Sequence, residues 1–344
     1  MDNLVLGTMN IEYPYSSLKD KSVESYKSII QKYISSVNNP ILDTAYYYGN
    51  TKTEQVLGVI LSELDTKPKI ATKANPWFEN DFTNGILGQL SKENLKKQLN
   101  TSLFNLKLDK VDIFYLHCPD YETPLKETLE ICDELWRKEK FDYLGISNFS
   151  KNQMVEILEI CDDHKFNHPI YYQGMYNLLS RNVEEIFPLL NDHSIEFWGY
   201  NPLAGGLLTG KYKTGLLEND SRFKDNKIYQ NIFWKSEILE GCKDFFNHGN
   251  CTEYSLQWLK KYSKLKMGDK IILGVSTEEQ LEHNLNIINK NIIYNGERIK
   301  YLNNIYEKIK DYSPNYYYYT VRKEKWDKTQ LWFIYFITMF QVVC

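Results

Sequence analysis

The chain has 344 residues and a net charge of −4, with 42% hydrophobic and 25% charged residues. That balance is ordinary for a globular protein, and the lack of a long basic tract argues against nucleic acid as a partner. Six cysteines occur without a CxxC pair, which speaks against a zinc module or a disulfide framework. The opening residues MDNLVLGTMN lack the basic and apolar regions of a secretory leader. A reduced, cytoplasmic protein without a metal is expected.

Short apolar runs alternate with helical periodicity along the chain. In order, the patterns predict strand 3–9, helix 22–37, strands 41–45 and 69–73, helix 91–106, strand 111–117 and helix 125–138. Strand 143–148, helix 150–164, strands 170–176, 195–201 and 270–276, and helix 276–288 follow. The strands are nearly continuously apolar, as in a parallel sheet covered on both faces. The helical segments repeat apolar residues at spacings of three and four. Ser150 stands at an N-cap position, and Ser276-x-x-Glu279 reads as a capping box.

Eight strands alternating with helices predict an α/β protein of the (β/α)8 TIM-barrel type. An open doubly wound sheet would show a GxGxxG turn after its first strand, and LGTMNIEY has none. Residues 202–269 would hold an extended loop and extra helices before the eighth strand. The barrel is expected over 1–319, with 320–344 as a C-terminal extension. The end of that extension, QLWFIYFITMFQVVC, is apolar but shorter than the roughly 20 residues a span needs, so no stable membrane insertion is expected.

Catalytic groups of such a barrel sit at the C-terminal strand ends. Those ends offer Asp43, Lys73 and His117, with Tyr46, Tyr47 and Tyr48 just beyond Asp43. Neighbouring strands lie about 4.8 Å apart, close enough for such side chains to converge. A phenol with a pKa near 10 is a poor acid at neutral pH, but an adjacent ammonium held by a carboxylate stabilises its phenolate. A histidine within reach could orient a carbonyl oxygen. The set fits protonation of a carbonyl as a hydride arrives, that is, nicotinamide-dependent reduction. Spacing alone leaves open which tyrosine acts.

Eight stretches carry a resemblance: LGTM (6–9), DTAYYYGN with TEQVLG (43–58), ATK (71–73), VDIFYLHCPD (111–120), EKFDYLGISN (139–148), YQGMYN (172–177), YNPLAGGLLTGKY (200–212) and ILGVSTEEQLEHNL (272–285). Through them, over roughly 4–318, the sequence resembles the aldo-keto reductases, most closely the aflatoxin-aldehyde reductase branch. The resemblance implies a tetrad of Asp43, Tyr48, Lys73 and His117, since the family's tyrosine lies five positions after the aspartate. Tyr48 would be the general acid, tuned by Lys73 and Asp43, and His117 would position the carbonyl.

NADPH is the implied cofactor, with NADH left open. Thr8 and Met9 match cofactor positions, as do Ser147, Asn148 and Gln173 for the carboxamide and Tyr200 for stacking on the nicotinamide. Asn201, Pro202, Leu203 and Gly205 lie in the segment that resembles the pyrophosphate loop. Lys211 and Arg222 are candidates for phosphate neutralisation, and Ser276, Gln280 and Asn284 for contacts to the adenosine phosphate. Trp77, Phe78 and Trp234 are expected in the substrate pocket.

Branch members commonly end in Cys-Pro-Asn-Tyr-Phe-Arg, where residues 313–318 here read SPNYYY, and YQNIFWK (229–235) likewise lacks arginines. Uncharged aldehydes and ketones are therefore favoured over acidic ones. The partner is a small-molecule carbonyl, and the branch admits a homodimer. A nucleotide-binding regulatory subunit like the potassium-channel β-subunits is the competing reading. Those proteins commonly carry Asn where this chain has His117, which favours the enzyme.

Overall fold

Eight strands pair in chain order, every neighbour parallel, and β8 returns to β1 to close a barrel. They are β1 (Leu4–Gly7), β2 (Ile41–Asp43), β3 (Lys69–Ala74), β4 (Val111–Leu116), β5 (Phe141–Ser147), β6 (Pro169–Met175), β7 (Glu196–Tyr200) and β8 (Lys270–Gly274). The computed structural model describes residues 3–11, 23–77, 88–212, 223 and 227–317, without the side chains of 227–229. Phe78, Arg222 and the extension 320–344 lie outside the described residues. No described helix is long and apolar enough to cross a membrane.

The two-residue strand period sorts side chains between two cores. Val5, Ile41, Ala71, Ile113, Tyr115, Trp198 and Ile272 pack together inside the barrel. Their neighbours Leu4, Leu6, Leu42, Ile70, Phe114 and Leu273 face the surrounding helices. Continuing the inward parity by two residues reaches Asp43, Lys73, Ser147, Gln173 and Tyr200 at the upper rim. Shape complementarity inside is tight. A Cβ on Gly145 would lie 2.3 Å from the Tyr115 ring of the adjacent strand, so glycine leaves the volume that the ring fills.

The expected helices are present as α1 (Val23–Ser36), α3 (Lys92–Leu106), α4 (Leu125–Arg137), α5 (Lys151–His164) and α11 (Glu278–Asn289). The ring is completed by α2 (Lys52–Glu63), α6 (Phe187–Asp192) and α10 (Cys251–Lys261), and α12 (Gly296–Ile309) follows α11 and packs on α10 from outside. The region 202–269 holds α7 (Lys227–Phe233), α8 (Ser236–Gly241), α9 (Lys243–Phe246) and α10 (Cys251–Lys261), as an extended insertion should.

The sequence pattern did not single out α2, whose Gly58 and β-branched Val56, Val59 and Ile60 weaken helix propensity. Tertiary packing explains that glycine: a Cβ there would lie 2.0 Å from the Asn105 carbonyl oxygen of α3. At α5 the Ser150–Gln153 capping box is complete. At α11 the reading needs correction, because the N-cap is Thr277, whose hydroxyl accepts from the Gln280 N–H, and not Ser276. The Gln280 side chain then accepts from the Ser276 N–H at 2.8 Å, one residue earlier than a capping box would place it.

Candidate active site

Asp43 closes β2, and the register pairs it with Ala71, so Lys73 stands one inward step higher on β3. The Lys73 ammonium lies 2.7 Å from Asp43 Oδ2 and donates to the Thr44 carbonyl at 2.7 Å. Gln173 on β6 donates to the other carboxylate oxygen at 2.9 Å. Both oxygens of Asp43 therefore receive donors, and Asp43 and Lys73 are both buried. Burial pushes the Lys73 pKa below the usual lysine value, and the Asp43 carboxylate opposes that shift.

After β2 the chain turns, with the Tyr46 N–H donating to the Lys73 carbonyl at 3.0 Å and the Tyr48 N–H to the Ala45 carbonyl at 3.1 Å. This turn sets the three tyrosines apart. Lys73 Nζ sits 5.2 Å from the Tyr48 ring centroid, and that ring meets His117 edge-on at 6.0 Å. Tyr46 and Tyr47 pack instead with Trp77 and Cys118. The Tyr47 hydroxyl donates to Asn50 at 2.9 Å.

His117, just past β4, is buried between Tyr48 and the Trp77 ring, the latter 5.5 Å away. Burial, and secondarily the Lys73 charge, hold its imidazole pKa well below the ordinary range, so it is neutral. Its Nδ1 has no hydrogen-bond partner among the described residues.

A second polar group lies along the same rim, on β5, β6 and β7. Asn148 adopts the left-handed conformation (φ 62°), which asparagine tolerates. Its amide donates to the His117 carbonyl and to Ser147 Oγ, each at 3.0 Å, and its oxygen accepts from the Tyr200 hydroxyl at 2.9 Å. The Asn148 N–H also bonds the Gln173 carbonyl at 3.2 Å. Ser147, Asn148, Gln173 and Tyr200 thus form one cluster, of which Gln173 reaches down to Asp43.

Beyond β7 the chain passes Asn201, Pro202 and Leu203 into a 3-10 turn, Ala204–Thr209. Asn201, Ala204, Gly205 and Gly206 all have positive φ. Asn201 Oδ1 accepts from the Gly205 N–H at 2.7 Å, which fixes the turn. Lys211 passes beside Gly206, with its Cε 3.6 Å from where a Cβ would stand. Ser276 and Gln280 meet at the start of α11, and Asn284 is buried one turn on.

Two of the expected residues have partners within the protein. The Thr8 hydroxyl is buried and donates to the Asp43 carbonyl at 3.0 Å, bracing the end of β2, while Met9 beside it is half-buried. Trp234 packs against Tyr212 and Phe223 at 5.3 and 5.0 Å, in an aromatic cluster of the insertion. The sequence reading missed the Thr44 carbonyl on Lys73, and Tyr115 beneath it with the ammonium 5.9 Å from its ring. The inward period from His117 would have found Tyr115, whereas no side-chain pattern reveals a carbonyl acceptor.

A closed parallel barrel with a buried ion pair, a tyrosine and a neutral histidine gathered at its C-terminal rim has the architecture of a barrel enzyme. The chain belongs to the aldo/keto reductase family, whose sequence model matches residues 3–307, and by that membership it is an oxidoreductase. It is 36% identical over 265 residues to aflatoxin B1 aldehyde reductase member 4 of Homo sapiens, covering 71% of this chain and 78% of that protein. Aflatoxin B1 aldehyde reductase member 2 of Mus musculus is 35% identical over 302 residues, covering 82% and 78%. The fold is similar to the crystal structure of an aldo-keto reductase from Klebsiella pneumoniae in complex with NADPH, with TM-score 0.62 at 22% identity and coverage of 88% and 90%.

Proposed function

We propose that this protein reduces aldehydes or ketones to alcohols with NADPH, Tyr48 acting as the general acid. The observation that carries the reading is the buried Lys73–Asp43 pair at 2.7 Å, placed beside the Tyr48 ring. Proton donation leaves a phenolate, which the ammonium stabilises where no water can screen it. Asp43 and the Thr44 carbonyl hold that ammonium in place. Neutral His117 can donate to a carbonyl oxygen without adding charge, and Trp77 and Tyr47 supply an apolar wall. The hydride to the carbonyl carbon is the bound cofactor's contribution, and the proton to the oxygen comes from Tyr48.

The residues present fit that cofactor. Ser147, Asn148 and Gln173 offer amide and hydroxyl groups for a carboxamide, and Tyr200 offers a half-buried ring. Gly205 and Gly206 leave backbone bare of Cβ beside Lys211, as a pyrophosphate requires. Ser276, Gln280 and Asn284, with Arg222, would take the adenosine end. The Klebsiella pneumoniae structure of similar fold was solved with NADPH, in keeping with this choice, and NADH stays open. Uncharged carbonyls are the proposed substrates. A reduced cytoplasmic setting belongs to the same proposal, and the five described cysteines, all buried and none bonded in a disulfide, support it.

Steady-state oxidation of NADPH with 4-nitrobenzaldehyde tests the reading. Turnover by the wild type that Tyr48→Phe abolishes, at unchanged cofactor affinity, is expected. Tight cofactor binding without turnover across a carbonyl panel would refute it in favour of a nucleotide-binding regulatory subunit.

A further inference from the structure

Directly behind the tetrad, on the outer face of the barrel wall, lies an acid that the mechanism above does not use. Glu54 stands in the first turn of α2 and is fully buried. One carboxyl oxygen accepts a short hydrogen bond from the Thr72 hydroxyl. The other, Oε2, has no hydrogen-bond partner among the described residues. Thr72 and Lys73 are consecutive on β3 and point to opposite faces, so the strand that carries the inward ammonium also carries the outward contact to Glu54. The same helical turn holds Tyr48, because the Thr53 N–H donates to the Tyr48 carbonyl at 3.2 Å. The Thr53 hydroxyl adds a 2.7 Å bond to the Ile11 carbonyl beyond β1.

We propose that Glu54 is a positioning residue: its carboxyl pins the start of α2 to the outer face of β3 and thereby fixes Tyr48 against Lys73. The geometry gives the acid this role because helix and strand otherwise meet there through apolar contacts, which constrain translation weakly compared with a hydrogen bond of fixed direction. Its neighbours are the Thr72 hydroxyl on β3, the Ser102 hydroxyl on α3 and, across the strand, the Lys73 ammonium. Burial raises its pKa to about 7 against the smaller opposing effects of those three groups. Below that pH the carboxyl is neutral, and its ionisation places a second negative charge near Lys73 in addition to Asp43.

The inference rests on the proposed reduction, so its test carries a readout that does not need turnover. Glu54→Ala, Glu54→Gln and Tyr48→Phe are compared with the wild type. Glu54→Ala should lower kcat on the order of 10-fold with KM for NADPH within about 2-fold, as expected for a small misplacement of a reacting group. Glu54→Gln keeps an acceptor for Thr72 and should recover most of kcat, while removing any inflection of kcat near pH 7.

Hydrogen exchange of the backbone amides over residues 44–53 should quicken in Glu54→Ala and return towards wild type in Glu54→Gln. Thr72→Val should reproduce the alanine variant if that variant proves too unstable to purify. Unchanged exchange over 44–53 in Glu54→Ala or Thr72→Val overturns the proposal, whether or not the wild type turns over. So does a loss of kcat that glutamine fails to recover. A wild type without turnover defeats the proposed reduction alone, and the exchange data still decide the role of Glu54.

Discussion

Replacing Asp43 by asparagine changes one atom and should unbalance the whole rim. The carboxylate accepts from Lys73 at one oxygen and from Gln173 at the other. An asparagine side chain offers one acceptor and one N–H donor pair, so either the ammonium or the Gln173 amide must face another donor. Lys73 keeps the Thr44 carbonyl but loses its counter-charge in a fully buried site. Removing one partner of a buried ion pair costs about 3–5 kcal/mol, and the Thr44 bond places this case near the lower end. A loss of about 3 kcal/mol should appear as a fall of roughly 4 °C in Tm for a chain of this size.

The deficit should also depend on pH. The folded-state pKa of Lys73 already lies below its unfolded value, and losing Asp43 lowers it further. Between those two values the unfolded chain binds the extra proton, so stability rises with pH there. Measured from pH 6 to pH 9, the deficit of Asp43→Asn should therefore shrink as pH rises and Lys73 loses its charge in the folded variant. Differential scanning calorimetry across that range, with kcat measured in parallel, is the assay. A kcat lower by about 100-fold at pH 7 is expected, within the usual contribution of acid–base groups. A variant as stable and as active as wild type at pH 6 would refute the claim that Asp43 holds a charged Lys73.

Tyr47→Phe should retain most activity, since the Tyr47 hydroxyl serves Asn50 and not the rim, and Tyr46→Phe likewise, whereas Tyr48→Phe should retain almost none in the NADPH assay. Gly145→Ala should lower stability by about 1–3 kcal/mol in urea unfolding, because its Cβ must displace the Tyr115 ring. Gly58→Ala meets backbone instead of a side chain and should lower both Tm and kcat by pushing α2 away from α3. His117 and Glu54 should act oppositely on stability. The lowered pKa of His117 costs stability as pH falls below about 6.5, and His117→Asn should remove that loss from a thermal scan. The raised pKa of Glu54 costs stability as pH climbs from 4.5 to about 7, so Glu54→Gln should gain on wild type over that interval.

The barrel was legible because eight buried strands advertise themselves as apolar runs, and their two-residue period carries Asp43 and Lys73 to the inner face. The strands end earlier than the apolar runs do. Thr44 and Ala45, read as strand, leave the ladder so that the Thr44 carbonyl can meet Lys73. Helix α2 was not singled out because its sequence serves tertiary demands: Gly58 for close approach, Thr53 and Glu54 for hydrogen bonds through the wall. Local propensity is weakest at such positions. Asp43, Lys73 and His117 could be read from strand ends, whereas the proposed choice of Tyr48 came from resemblance, with the Lys73 ammonium 5.2 Å from its ring in support. An aromatic residue such as Trp234 reads the same in sequence whether it lines a pocket or packs with others, and here its ring lies against Tyr212 and Phe223.

The shared volume of Gly145 and Tyr115 imposes an order on change. Any lineage that gains a side chain at 145 while the ring remains must pass through a strained barrel. One that first shortens Tyr115 passes only through a cavity beneath the rim, and a later side chain at 145 can fill it. The two substitutions are therefore accessible in one sequence and obstructed in the other, and the interior of this barrel records the direction from which it can be rebuilt.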